Sequence, residues 1–253
     1  MTDLTGKTAL ITGSARGIGK AIALRYAQLG ANIVINYSSN AANADQALKE
    51  VLARGGQAIA VQADISKPAE VDRLFTQAKE QFGSIDIVVA NAGLELLGAP
   101  IADLTDEQID RMVNVNARGA LLTLQRAAKH TADHGRIMYI ASTAIAGPVA
   151  GAGLYTATKA KAPGRYFAEV LAREAAERGI TVNTIQPGPI DEAGVFIDSI
   201  PSDSPFRGIQ AAGRIANRIG TPKDVADAAE YLASDLAAWA SGTTIAVTGG
   251  LPQ

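Results

Sequence analysis

Seven short, nearly unbroken apolar runs rich in β-branched residues recur along the chain, separated by amphipathic segments of helical period. The runs cover 8–12, 32–37, 58–62, 85–90, 136–141, 181–186 and 244–247. Unbroken apolarity over so short a run is what a strand covered on both faces requires, since neither face meets water. The intervening segments, among them 20–29, 41–54, 69–82 and 166–178, have the length of crossover helices. Such alternation predicts an α/β fold, a Rossmann-type doubly wound domain whose seven-stranded parallel sheet carries helices on both faces.

Composition narrows the chemistry. The 253 residues contain no cysteine and two histidines, so thiol nucleophiles, disulfides and thiolate metal sites are excluded. His130 and His134 fall in a polar stretch that reads as a helix end followed by a turn, a poor basis for a metal site. A net charge of −2 with scattered basic residues gives no case for nucleic acid. No apolar run approaches the roughly 18–20 residues of a membrane span. The N-terminus lacks a basic segment followed by an apolar one, and the expectation is a cytoplasmic protein that engages no membrane.

The first run is followed at once by Gly13-Ser14-Ala15-Arg16-Gly17-Ile18-Gly19 and then by a helix-period segment. Glycines here let the backbone turn sharply and approach a pyrophosphate, with the helix N-terminus aimed at its charge. A partner for the adenosine ribose is expected at the end of the second strand, where NAD sites carry an acid. This chain has Asn36-Tyr37-Ser38-Ser39 there, and no acidic residue between Ser14 and Ala44. An acid would repel a 2′-phosphate; asparagine and serine would not, and Arg16 offers it a charged fork. The cofactor indicated is NADP(H), with Arg16, Asn36, Tyr37 and Ser38 about the phosphate.

Tyr155 and Lys159 stand one helical turn apart. An ordinary tyrosine titrates near ~10 and is a poor base at neutral pH, but a neighbouring ammonium lowers that value. The pair therefore suits proton transfer to or from an oxygen. Tyr-x-x-x-Lys alone is common; its company decides. Gly13–Gly19, Asn91-Ala92-Gly93, Asn116, Ser142 and Tyr155/Lys159 together resemble, in order, the motifs of the short-chain dehydrogenase/reductase family. The resemblance runs from Thr5-Gly6-Lys7 to Thr248-Gly249-Gly250, and is greatest to 3-oxoacyl-carrier-protein reductases and related ketone reductases.

That resemblance implies roles. Tyr155 is the proton donor or acceptor, Lys159 holds the nicotinamide ribose and lowers the tyrosine pKa, and Ser142 binds the reacting oxygen. Asn116 is implied to hold a water linking Lys159 to solvent. Gly13, Ser14, Gly17, Ile18 and Gly19 form the phosphate turn; Asp64 and Ile65 flank the adenine; Asn91, Ala92 and Gly93 line the adenosine ribose; Pro187, Gly188 and Ile190 shape the nicotinamide side. Asp64 has a second reading as a helix cap, and Asn91 as the lock of a turn. The family's common tetramer implies a homo-oligomer, tetramer or dimer, using the long helices after the fourth and fifth strands and the C-terminal run 245–253.

Three features depart from that pattern. Where relatives carry threonine after the Pro-Gly-x-Ile segment, this chain has Asp191-Glu192. Glu192 either accepts from the carboxamide or turns to solvent. Glu95, after the Asn-Ala-Gly turn, places a second acid where a substrate wall begins, which favours a cationic or polyhydroxy substrate over a carboxylate. Pro163 falls in the helix that carries Tyr155, and would leave the Lys159 carbonyl without its usual donor. The long stretch 187–214 holds four prolines and reads as a substrate-covering region. Its Val195, Phe196, Ile197, Ile200 and Phe206 suit a flap over an apolar ligand. The whole chain, 1–253, is thus expected to be one dinucleotide-binding catalytic domain reducing a small to medium ketone with NADP(H), no metal being called for. An alcohol or polyol dehydrogenase working oxidatively and a catalytically silent NADP-binding regulator are the alternatives.

Overall fold

The strands run in the order β3-β2-β1-β4-β5-β6-β7, every neighbouring pair parallel. The architecture is that of a computed structural model, which describes residues 2–143, 149–160 and 163–250. Strands β1 (Thr8–Ile11), β4 (Ile87–Ala90) and β5 (Arg136–Ile140) are buried at every residue. That is the physical meaning of their unbroken apolar runs: helices cover both faces. Strand β6 (Thr181–Pro187) is likewise buried throughout, and the remaining strands are β2 (Asn32–Tyr37), β3 (Ala58–Gln62) and β7 (Thr244–Val247).

Alternate residues of each strand feed two separate cores. Ile11, Ile33, Ile35 and Ile185 pack with Ile22 and Tyr26 of α1 (Gly17–Gln28) and with Val225 and Leu232 of α10 (Pro222–Ala233). The Tyr26 hydroxyl donates to the Ala229 carbonyl at 2.8 Å, so the buried phenol of that core has a partner. Helix α2 (Ala41–Leu52) completes this layer through Ala47 and Val51. On the opposite face, Leu10, Val34, Val88 and Val182 meet Leu74 and Phe75 of α3 (Pro68–Phe82), Leu124 of α5 (Ala120–His130) and Leu171 of α7 (Pro163–Glu174).

The chain leaves β1 toward β2 and β3, then returns to lay β4 on the other side of β1. This reversal opens a crevice beyond the carboxyl ends of β1 and β4, the place where open α/β sheets bind ligands. Helix α4 (Asp106–Met112) leads into a wide π turn at Val113–Gly119 before α5 begins, and α6 (Gly153–Tyr155) leads into another at Thr156–Ala160. Neither turn was visible in the sequence period. The stretch expected as one long covering region holds two short helices, α8 (Val195–Asp198) and α9 (Pro205–Ala211).

Candidate active site

The glycine turn is held from beneath by side chains. Thr12 Oγ1 accepts from the backbone N–H of Asn91 and Ala92 at 3.0 and 3.1 Å. Asn36 Oδ1 accepts from the Gly13 N–H at 3.1 Å, and the Ser14 hydroxyl donates to the Ile11 carbonyl at 2.7 Å. Asn91 Nδ2 donates to the carbonyls of Thr12 and Gly13 at 2.8 and 3.2 Å. Gly13 takes φ +64° and Gly17 φ +55°, a region in which side chains with a Cβ are strained. A Cβ on Gly19 would lie 2.6 Å from Asn91 Nδ2 and from the Gly13 carbonyl. What remains is a bare cradle at the N-terminus of α1, whose first turn carries no acid. It fits a pyrophosphate.

The structure divides the expected cofactor residues into those that face the crevice and those that build it. Ser14 is fully buried and Asn36 nearly so. Asn36 Nδ2 donates to the Ala63 and Val61 carbonyls at 3.0 and 3.4 Å, while its amide nitrogen reaches Ser14 Oγ at 3.2 Å. The Asn36 side chain is spent inside the protein, so it shapes the turn instead of meeting a 2′-phosphate, and Ser14 builds the turn from within. Arg16, Tyr37 and Ser38 lie toward solvent, and Ser38 offers its carbonyl to Gln62 Nε2 at 2.9 Å. Asp64 Oδ1 accepts from the N–H and hydroxyl of Ser66 at 3.0 and 2.7 Å, an Asx turn ahead of α3; the helix itself is entered at Lys67, so Asp64 is not its cap. Ile65 is buried against Gly119, and Ile18 packs on the α1–α10 core.

Beyond β5 stands the second half of the site. Ser142 hydrogen-bonds the hydroxyl of Tyr155, the last residue of α6. Lys159, buried in the π turn that follows, points Nζ at the carbonyls of Asn91 and Ala92, 3.5 and 3.4 Å away. Asn116 is fully buried in the other π turn. Its Oδ1 accepts from the Leu94 N–H at 2.7 Å; its Nδ2 donates to the Leu94 carbonyl at 2.9 Å and to Thr158 Oγ1 at 3.2 Å. The Asn116 side chain thus ties the loop after β4 to the turn that carries Lys159. Gly93 fits between: a Cβ there would sit 3.1 Å from Lys159 Nζ and 3.2 Å from Asn116 Oδ1. Wide π turns inside helices are frequent at functional sites, and here two of them pack together.

Burial sets the proton affinities. Lys159 is brought down to about 8 because its charged form is desolvated. Tyr155 moves the other way. Burial raises it above its ordinary value and the charge of Glu95 adds to that, while the bond from Ser142 pulls in the opposite sense. The sequence led to a lowered tyrosine; the protein by itself raises it, because desolvation and a facing carboxylate outweigh the serine.

The segment 187–214 is tied to the loop after β4. Glu95 Oε2 accepts from the Val195 N–H at 3.0 Å, where α8 begins. Glu192 adopts φ +54° with its side chain in solvent, and its carbonyl would stand 3.5 Å from a Cβ on Gly17. Of the two readings of Glu192, the structure takes the solvent one. Phe196 stacks on Phe206 with centroids 6.2 Å apart, and the Arg207 guanidinium lies 5.2 Å from the Phe196 ring. Arg207 also pairs with Asp191. Ile190 is buried, Gly188 N–H donates to Val247 at 2.9 Å, and the Pro187 carbonyl accepts from Thr143 N–H at 2.9 Å. These bonds seat the start of the covering region on β7 and on the loop after β5.

Comparison with known proteins agrees with this geometry. The family profile described as enoyl-(acyl carrier protein) reductase matches residues 13–252. Versicolorin reductase of Emericella nidulans is 38% identical over 257 residues, covering 98% of this chain and 96% of that protein. A short-chain dehydrogenase/reductase from Serratia marcescens superposes with a TM-score of 0.89 at 34% identity, over 98% of both chains. A short-chain dehydrogenase from Burkholderia cenocepacia, solved in complex with NADP, does so at 0.88 and 37% identity, again over 98% of each.

Proposed function

The chain belongs to the short-chain dehydrogenase/reductase family, and on that premise we propose that it is an NADP(H)-dependent carbonyl reductase acting on a small to medium apolar ketone. The observation that carries this reading is the hydrogen-bonded Ser142–Tyr155 pair beside buried Lys159, in the same crevice as the bare glycine cradle. NADP(H), when bound, supplies the hydride. The cradle of Gly13, Gly17 and Gly19 would hold its pyrophosphate, Arg16 and Ser38 its 2′-phosphate, and Lys159 its nicotinamide ribose.

The remaining steps fall to side chains. Ser142 fixes the substrate oxygen beside the Tyr155 hydroxyl, and Tyr155 delivers the proton. The Tyr155 phenol keeps its proton at neutral pH, as donation to a carbonyl oxygen requires. The presence of Ser142 and Tyr155 together with buried Lys159 and Asn116 in one arrangement supports an enzyme over a silent NADP-binding regulator. The apolar side chains Phe196 and Ile197 on α8 and Phe206 on α9 support an apolar substrate body.

Single-turnover consumption of NADPH with a panel of ketones tests the reading. Oxidation confined to polyols with NADP+, or no turnover with any carbonyl, would overturn it. Assembly as a homo-oligomer is part of the same proposal, supported by exposed Tyr166, Phe167 and Val170 on α7. Sedimentation reads it directly: a monomer at micromolar concentration would contradict it.

A further inference from the structure

Tyr139 lies on β5 three residues before Ser142, fully buried, and it meets Lys159 at both ends of that residue. Its ring lies beneath the ammonium, with Nζ 5.1 Å from the ring centroid. Its hydroxyl donates to the Lys159 backbone carbonyl at 3.3 Å. The edge of the ring occupies the one place a side chain at 164 would need: a Cβ on Gly164 would stand 2.6 Å from Tyr139 Cζ. A proline at 163 has no N–H to give the carbonyl four residues back, which is that of Lys159. Tyr139, Pro163 and Gly164 therefore form one arrangement. The proline offers no N–H, the phenol donates to the Lys159 carbonyl, and the glycine makes room for the phenol.

We propose that Tyr139 is a positioning residue for Lys159, its ring favouring the ammonium form by a cation–π contact and its hydroxyl fixing the turn that carries it. The proposal rests on the reading of Lys159 as part of a reductase site. It also follows from an electrostatic need. Lys159 is desolvated, and its nitrogen has two backbone carbonyls at long range, 3.5 and 3.4 Å. Among the described residues the ionisable group against it is Tyr139 below; Tyr155 stands one turn back, and the charge of Glu95 acts on Tyr155. Burial holds Tyr139 itself above the ordinary phenol range, so it remains neutral and acts through its ring face.

The test reads Lys159 directly, without substrate or cofactor. In protein labelled with 13Cε-lysine, the Lys159 signal, assigned by its loss in Lys159→Arg, is followed by NMR against pH. The wild-type midpoint is expected near 8. Tyr139→Leu should lower it by about half a pH unit or more, since the ammonium loses its ring. Tyr139→Met, unbranched and of similar reach, is run beside it in case leucine does not pack. Tyr139→Phe keeps the ring and should leave the midpoint near the wild-type value. A folded leucine or methionine variant that titrates like wild type would overturn the ring's role.

The hydroxyl is tested by a double-mutant cycle. Tyr139→Phe should lower Tm, and Pro163→Ala, which restores an N–H, should recover at least half of that loss in the double variant. Strictly additive effects would overturn the hydroxyl–carbonyl link. If the wild type reduces no carbonyl at all, the functional reading fails while the titration still decides the role of Tyr139.

Discussion

The two sides of the crevice are built on opposite principles. The glycine turn after β1 is bare on its ligand side and locked from behind by Thr12, Ser14, Asn36 and Asn91, each bonded to backbone. The side beyond β5 carries its chemistry in side chains, set on a π turn and held by Asn116, Thr158 and Tyr139. One side recognises by shape and backbone dipoles, so any added atom is harmful. The other works by proton affinity, so what matters is which atoms are charged and how they are placed.

The largest effect on cofactor binding should come from crowding the packing behind the bare side. Gly19→Ala puts a Cβ 2.6 Å from Asn91 Nδ2 and the Gly13 carbonyl, and backbone cannot yield there cheaply. NADPH binding, followed by quenching of protein fluorescence, should weaken by about 100-fold or more, roughly a loss of 3 kcal/mol. Normal affinity in this variant would show that the cradle is not the phosphate site. Arg16→Ala comes next and sharpens the cofactor assignment. Losing one charge-assisted contact to the 2′-phosphate should cost NADPH about tenfold and leave NADH unchanged. Equal losses for both would contradict that role.

The smallest effect is expected at the latch between the two sides. Glu95→Gln keeps an acceptor for the Val195 N–H but removes the charge that faces Tyr155. The ratio of rates for an amino-ketone over a keto-acid should fall about threefold, the scale of one partly solvated charge pair. An unchanged ratio would remove Glu95 from the substrate wall and leave it a latch alone.

The fold was legible because its signal is repeated. Seven unbroken apolar runs, separated by helical segments, leave little choice but a parallel sheet covered on both faces. The glycine turn was legible for a similar reason, since several residues there serve a single geometric need. Directions of side chains were not. Asn36 has the right chemistry for a 2′-phosphate and the right place in the chain, yet it is consumed in holding Gly13 and the carbonyls after β3. A sequence shows that a polar residue stands at a strand end; it does not show which way a buried hydrogen bond will pull it. The π turns at Val113–Gly119 and Thr156–Ala160 left no trace in periodicity, because the helical segments before them, seven and three residues long, are too short to set a stripe against which a shift could show. Pro163 was the single hint, and it pointed at the Lys159 carbonyl without naming its partner. Tyr139, inside an apolar strand, read simply as core. Only the structure shows the phenol beneath the lysine.

The central claim is that Tyr155 delivers the proton when a ketone is reduced. Single-turnover oxidation of NADPH, in wild type and in Tyr155→Phe at neutral pH, tests it most directly. The wild type should consume NADPH with an apolar ketone, and the variant should bind NADPH yet react about 100- to 10,000-fold more slowly, as removal of a general acid requires. A variant that reduces the ketone at the wild-type rate would contradict the account.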